Sequence, residues 1–179
     1  MTRKEASSTL NAPHNHISQN ASLRVNDQEL KNRKSLGLTP AWRLNIKNCL
    51  KYINSQKEKI YWEDIKQGKN LLNLDQFGDV IIARKDILTS YHLSVTVDDN
   101  SDGITHIIRG NDLESYTNIH RLLQVLLNLR ETKWFHHKLI KDTNGKRIAK
   151  RSNSKLTIKE LRKNGYSAKE VIKLAKSST

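Results

Sequence analysis

Two side chains carry polar chemistry of use at a site: Tyr91, which opens the stretch YHLSV, and Arg109, which closes the β-branched run THIIRG. A planar guanidinium binds a carboxylate through two parallel hydrogen bonds, and a phenol donates another while its ring bounds a pocket. A third feature, the turn GKRIAKRS from Gly145 to Ser152, concentrates cations of the kind that neutralise charge on phosphates. Each has an ordinary reading when taken singly. Tyr91 is then a core aromatic, Arg109 a surface ion-pair partner, and the turn a solvated basic loop. Asp98 and Asp99 precede an Asn-Ser-Asp-Gly sequence and read as a solvated loop. His136 and His137 alternate across a strand and so cannot jointly chelate a metal. No Ser, His and Asp arrangement in motif context and no P-loop is present, which sets aside hydrolase and ordinary NTPase chemistry.

The elements that must position these groups follow from periodicity. Trp42, Leu44 and Ile46 alternate as in a half-buried strand, and Cys49, Leu50 and Ile53 continue at helical spacing. YWEDI and DVIIAR read as strands punctuated by Gly68 and Gly78. Ser90 to Val97 suits helix or strand, whereas THIIRG reads as a strand. Leu113, Tyr116, Ile119, Leu122, Leu123, Leu126 and Leu127 then mark a helix that Asn111 or Asp112 could cap, and a strand follows from Trp134 to Ile140. Strand, helix, strand with this spacing predicts a parallel crossover, in which ligands bind at the carboxyl ends of the strands, where Arg109 sits. Two short helices close the chain, one ending near Gly165 and one opening at Ser167 with a capping-box Glu170. Residues 1–38 are polar and weakly periodic, with little core expected.

Among 179 residues, 32 are basic and 18 acidic, a formal charge of +14. From Lys133 onward 14 Lys or Arg face only Asp142, Glu160 and Glu170, so the excess is C-terminal and favours a polyanionic partner, nucleic acid first. A single cysteine, Cys49, excludes an intrachain disulfide and a Cys-rich zinc module. With no signal-peptide core and no run near the ~20 apolar residues of a membrane span, the reading is cytoplasmic.

The stretch GDVIIARKDILTSYHLSVTVDDNSDGITHIIRGNDL, from Gly78 to Leu113, resembles the class I glutamyl-tRNA synthetase family. The resemblance implies that Tyr91 and Arg109 bind the substrate glutamate. GKRIAKRS, following the strand FHHKLI, resembles the family's KMSKS loop, whose lysines neutralise charge on the ATP phosphates as adenylate forms. Lys150 matches the second lysine and is the expected catalytic residue; Arg147 stands for the first, Ala149 replaces the serine, and Ile148 and Arg151 complete the ATP-binding loop. The opening TRKEASSTLNAPH, with PAWRL and YWEDI, is similar to the branch that glutamylates queuosine in tRNA(Asp), as are ARKDILTSYHL and RGNDL. That branch implies ATP-dependent glutamate activation followed by transfer to queuosine, with no protein nucleophile. Met1 stands where relatives carry a zinc-ligand cysteine, and SQNASLR lacks another, so zinc is not expected; His14 and His16 with Cys49 are the substitute set considered and set aside.

The expected fold is α/β, the C-terminal part of a class I synthetase Rossmann-like catalytic domain with a small strand-containing insert and a short helical basic tail. The expected boundaries are 1–77 for the insert remnant, 78–152 for the second catalytic half with its degenerate KMSKS loop, and 153–179 for the basic tail. No HIGH-type motif is present. Three readings therefore stay open: a truncated or split-gene chain that assembles with a separate N-terminal chain bearing that motif, a decayed fragment, or a non-catalytic tRNA-binding module. The expected partner is tRNA, with tRNA(Asp) first, and no membrane.

Overall fold

The computed structural model describes residues 26–56, 58–141, 145, 148 and 157–177. Helix α1 (Asp27–Ser35) starts where the Asn26 side chain accepts from the Glu29 amide, and it buries none of its residues. Strand β1 (Trp42–Leu44) pairs antiparallel with β4 (Val80–Ala83) to form a two-stranded ribbon. Between them in sequence, α2 (Ile46–Ser55) is capped by Asn45 and turns Ile46, Cys49 and Ile53 inward, a three- and four-residue spacing that keeps them on one face.

The second sheet has four strands, in the spatial order β3 (Gly68–Leu71), β2 (Tyr61–Asp64), β6 (Lys133–His137) and β5 (His106–Gly110). Strand β2 (Tyr61–Asp64) forms an antiparallel hairpin with β3 (Gly68–Leu71), where Gly68 takes φ +84°, a conformation that side-chain-bearing residues rarely adopt. Strands β5 (His106–Gly110) and β6 (Lys133–His137) run parallel to each other, and β2 runs parallel to β6. The expected crossover is thus present: α4 (Thr117–Leu126) connects β5 to β6. One buried cluster joins the two regions, with Ile46, Cys49 and Ile53 from α2 meeting Leu74 and the α4 residues Ile119, Leu122 and Leu123.

Three local expectations need correction. The helical segment after Arg109 does not start at Leu113 under an Asn111 or Asp112 cap. Asn111–Leu113 is a separate 3-10 turn, and α4 begins at Thr117 with no side-chain cap. Thr117 is fully buried there, its hydroxyl bonded to Arg109 and His136 at the strand ends. Asp98 and Asp99 are not loop residues, since α3 (Tyr91–Ser101) includes both. Two residues past its end, Gly103 takes a φ of +72° that lets the Ile104 amide return to the Asp99 carbonyl. The strand β3, read only as glycine punctuation, is a fourth strand built from GKNL, a segment with no β-branched residue to announce it.

At the C-terminal end, α5 (Ile158–Lys163) is capped by Thr157, and α6 (Ala168–Ser177) carries the expected capping box, with Ser167 and Glu170 bonding each other's amides. No helix among the described residues is long and apolar enough to cross a membrane.

Candidate functional site

Three parallel strands bring three polar residues to their carboxyl ends: Asp64 is the last residue of β2, Arg109 the penultimate residue of β5, and His136 the penultimate residue of β6. Arg109 and His136 are direct partners in the β5–β6 register, so both side chains leave the sheet on one face. Helix α4 lies across that face and adds Thr117 and His120, and the start of α3 adds Tyr91 and His92.

Arg109 is the hub. Its Nε donates to His136 Nε2 (3.3 Å), one terminal nitrogen meets His120 Nδ1 (3.0 Å), and the other donates to the Thr117 hydroxyl (2.6 Å). A guanidinium only donates, so both imidazole nitrogens facing it must be acceptors. That requirement fixes the tautomers. His136 carries its proton on Nδ1 and donates it to Asp64 Oδ2 (2.8 Å), while Thr117 Oγ1 lies 3.0 Å from His136 Nε2 and accepts from Arg109. His120 carries its proton on Nε2 and gives it to His92 Nδ1 (3.0 Å). Asp64, itself 1% exposed, also receives the backbone amides of Lys66 and Gln67 through Oδ1.

The electrostatics agree with these assignments. Burial, followed by the charge of Arg109 and the neighbouring His92, pushes His120 down to about 2, and burial with Arg109 lowers His92 as well. Burial pushes the Asp64 carboxyl up, but hydrogen bonds from His136, Gln67 and Lys66 outweigh it and leave the group below its usual range. Burial also lowers Arg109, opposed by Tyr91 and, at longer range, by Asp99 and Asp112. Among the described residues no carboxylate forms a salt bridge with Arg109, and its three firm acceptors are all neutral. Three of the five guanidinium N–H groups serve these acceptors, and the Tyr91 phenol is a further hydrogen-bonding neighbour.

The site therefore brings together Tyr91 and Arg109, expected from sequence, and neither fits its ordinary reading. Tyr91 is 55% exposed and not a core residue, packing its ring edge-on to His92 and His120. Arg109 pairs with rings and a hydroxyl instead of surface carboxylates. His136 and His137 do point to opposite faces, the first into the network and the second toward the Lys138 carbonyl. Sequence reasoning missed Asp64, His92, Thr117, His120 and His136 as site residues, because their roles depend on alignment of strand ends that are distant in the chain. In the KMSKS-like loop, Arg147, Ala149, Lys150 and Arg151 lie outside the described residues, as do His14 and His16; Ile148 donates its amide to the Ile140 carbonyl. Among the described residues no group of three or more His, Cys, Asp or Glu could hold a metal ion.

Known proteins share this chain's sequence pattern and its fold. A family model described as the catalytic domain of class I tRNA synthetases (E and Q) matches residues 1–176. The glutamyl-Q tRNA(Asp) synthetase of Rhodobacter capsulatus is 46% identical over 97 residues, covering 54% of this chain and 34% of that protein. Glutamate–tRNA ligase 2 of Bartonella tribocorum is 32% identical over 147 residues, covering 82% of this chain and 32% of that protein. A glutamate tRNA ligase from Elizabethkingia meningosepticum, solved in complex with its amino acid, shares the fold with a TM-score of 0.54 and 22% identity over 81% of this chain and 26% of that one. The chain thus spans about a third of the length of the curated relatives it matches. With its parallel strands, their crossover helix and this match along nearly its whole length, the chain belongs to the class I tRNA synthetase family for glutamate and glutamine, within the catalytic domain.

Proposed function

We propose that this chain supplies the glutamate-recognising part of an ATP-dependent glutamyl ligase that transfers glutamate to queuosine in tRNA(Asp). The observation that carries the reading is Arg109, a cation oriented by three neutral acceptors and left without a carboxylate of its own among the described residues. An incoming carboxylate would supply the missing counter-charge through the remaining N–H groups, with the Tyr91 phenol beside it. In this reading catalysis is positioning and charge stabilisation, with Lys150 and the loop Arg147–Arg151 neutralising the ATP phosphates. The 46% identity to a glutamyl-Q tRNA(Asp) synthetase supports the queuosine assignment over the tRNA 3′ end. Strand β5 lies at the edge of its sheet with Ile108 71% exposed, which supports a further polypeptide, carrying the HIGH motif, as the partner completing the ATP site.

The deciding experiment is glutamate- and tRNA-dependent ATP–pyrophosphate exchange by the purified chain, alone and with a HIGH-bearing polypeptide. Exchange with the partner that vanishes in Arg109→Ala is the expected result. No exchange in either arrangement would sink the ligase reading.

One observation favours a second reading, a non-catalytic tRNA-binding module. Lys169, Lys173 and Lys176 recur at four- and three-residue steps on α6, all exposed, and so form a single cationic stripe. Salt-sensitive tRNA binding with no dependence on ATP or glutamate is its signature.

A further inference from the structure

The chain of tautomers does not stop at His120. Because Arg109 can only donate, His120 Nδ1 must accept, and its proton sits on Nε2. That proton points at His92 Nδ1, 3.0 Å away, which must also accept. His92 is thereby left with its own proton on Nε2. Among the described residues this N–H has no hydrogen-bond partner, and it is not among the fully buried polar atoms that lack one, so it meets solvent. The ring carrying it is held in place: it lies tilted against Tyr116 with centroids 5.1 Å apart, and Tyr91 stands edge-on to it at 5.6 Å.

We propose that His92 is a further ligand-contacting residue, whose Nε2–H donates to the same carboxylate-bearing ligand that Arg109 and Tyr91 receive. The proposal rests on the glutamate reading above and deepens it. Two kinds of donor would then share the ligand: a cation at Arg109, which supplies charge, and a neutral N–H at His92, which supplies direction. Polarisation reinforces this, since each ring accepts on one nitrogen a bond that ultimately starts at the guanidinium and so donates more strongly on the other. A dicarboxylic amino acid, with a carboxylate at each end, can meet a separate donor with each. Burial and Arg109 both keep His92 neutral, so the donor persists at neutral pH.

The test combines a tautomer measurement with binding. In the full chain labelled with 15N-histidine, long-range proton–nitrogen spectra should show the Nε2–H form for both His92 and His120. An Nδ1–H form at His92 would overturn the relay. L-Glutamate is then titrated into wild type, Arg109→Ala, His92→Phe and His92→Gln. Phe keeps the ring against Tyr116 and loses both nitrogens; Gln reaches the Nε2 position and can still donate. The expected result is a His92 Nε2 signal that moves with saturation, about tenfold weaker binding in His92→Phe, and recovery of most of that loss in His92→Gln. Binding that disappears in Arg109→Ala yet is unchanged in His92→Phe would overturn the His92 contact and leave the glutamate reading intact. No glutamate binding by the wild type would overturn both.

Discussion

His136 Nδ1 lies 2.8 Å from Asp64 Oδ2, with both side chains closed to solvent, so a side-chain hydrogen bond joins the ends of β6 and β2 and decides which nitrogen of His136 faces Arg109. The carboxylate cannot donate, so the Nδ1 proton is fixed, and the lone pair on Nε2 is presented to the guanidinium. Asp64 therefore orients Arg109 without touching it.

Replacing Asp64 with Asn should undo this arrangement. An amide offers one acceptor where Asp64 serves three donors, the Lys66 and Gln67 amides and His136. Either an amide loses its acceptor or a donor faces His136 and drives its proton to Nε2, against Arg109. The expected cost is about 2–3 kcal/mol for the stranded buried donors. Urea unfolding should show a midpoint lower by about 1 M at unchanged slope.

Acid should destabilise the fold before its carboxylates titrate. In the unfolded chain His92 and His120 take up protons as pH falls through the usual histidine value near 6.5, whereas the folded site refuses them, His120 down to about 2. The unfolded state then binds more protons, so stability is complete above pH ~6.5 and declines below it, by up to about 1.4 kcal/mol per pH unit for each such histidine. Asp64, held low, adds a further loss only as pH falls past the ordinary carboxylate value of 3.8. Melting temperature measured from pH 7 to 5 should fall, and His120→Gln, which has no ring to protonate, should flatten the slope. An equally steep slope in that variant would refute the assignment.

The core makes a simpler prediction. Leu122 is 0% exposed on α4 and belongs to the cluster that joins this helix to α2. Leu122→Ala opens a cavity between two packed helices and should cost about 3 kcal/mol by chemical denaturation. Leu127, 45% exposed just past the helix end, should cost far less when truncated.

Much of this architecture was legible because its signals are local. The spacing of Cys49, Leu50 and Ile53, the Ser167–Glu170 box and the β-branched run before Gly110 each fix an element from a few neighbouring residues, although Ile46, read with the strand before it, opens the helix instead. Arg109 was legible for the same reason, as an arginine at a predicted strand end. Its support was not. Asp64 and His136 are 72 positions apart, and the isolated segment YWED says nothing about which histidine its aspartate will meet. The helix start was less legible: Asn111 and Asp112 are favoured cap residues, but they lie in a separate 3-10 turn, and α4 begins at Thr117, whose hydroxyl bonds Arg109 and His136 across the fold.

The last prediction concerns the basic tail. If α6 meets RNA through Lys169, Lys173 and Lys176, those lysines neutralise phosphates and release counterions, so affinity must fall with salt in proportion to their number. Changing all three to Gln should weaken tRNA binding at low salt. It should also shallow the plot of log affinity against log salt by roughly one unit for each phosphate that is no longer neutralised. Because binding to phosphates carries no sequence information, the weakening should be similar for tRNA(Asp) and for an unrelated tRNA. The same triple variant leaves Tyr91, His92 and Arg109 in place, so glutamate binding should be unchanged. A variant that loses glutamate binding along with tRNA binding, or that keeps the wild-type salt slope, would show that this stripe is not the RNA-facing surface.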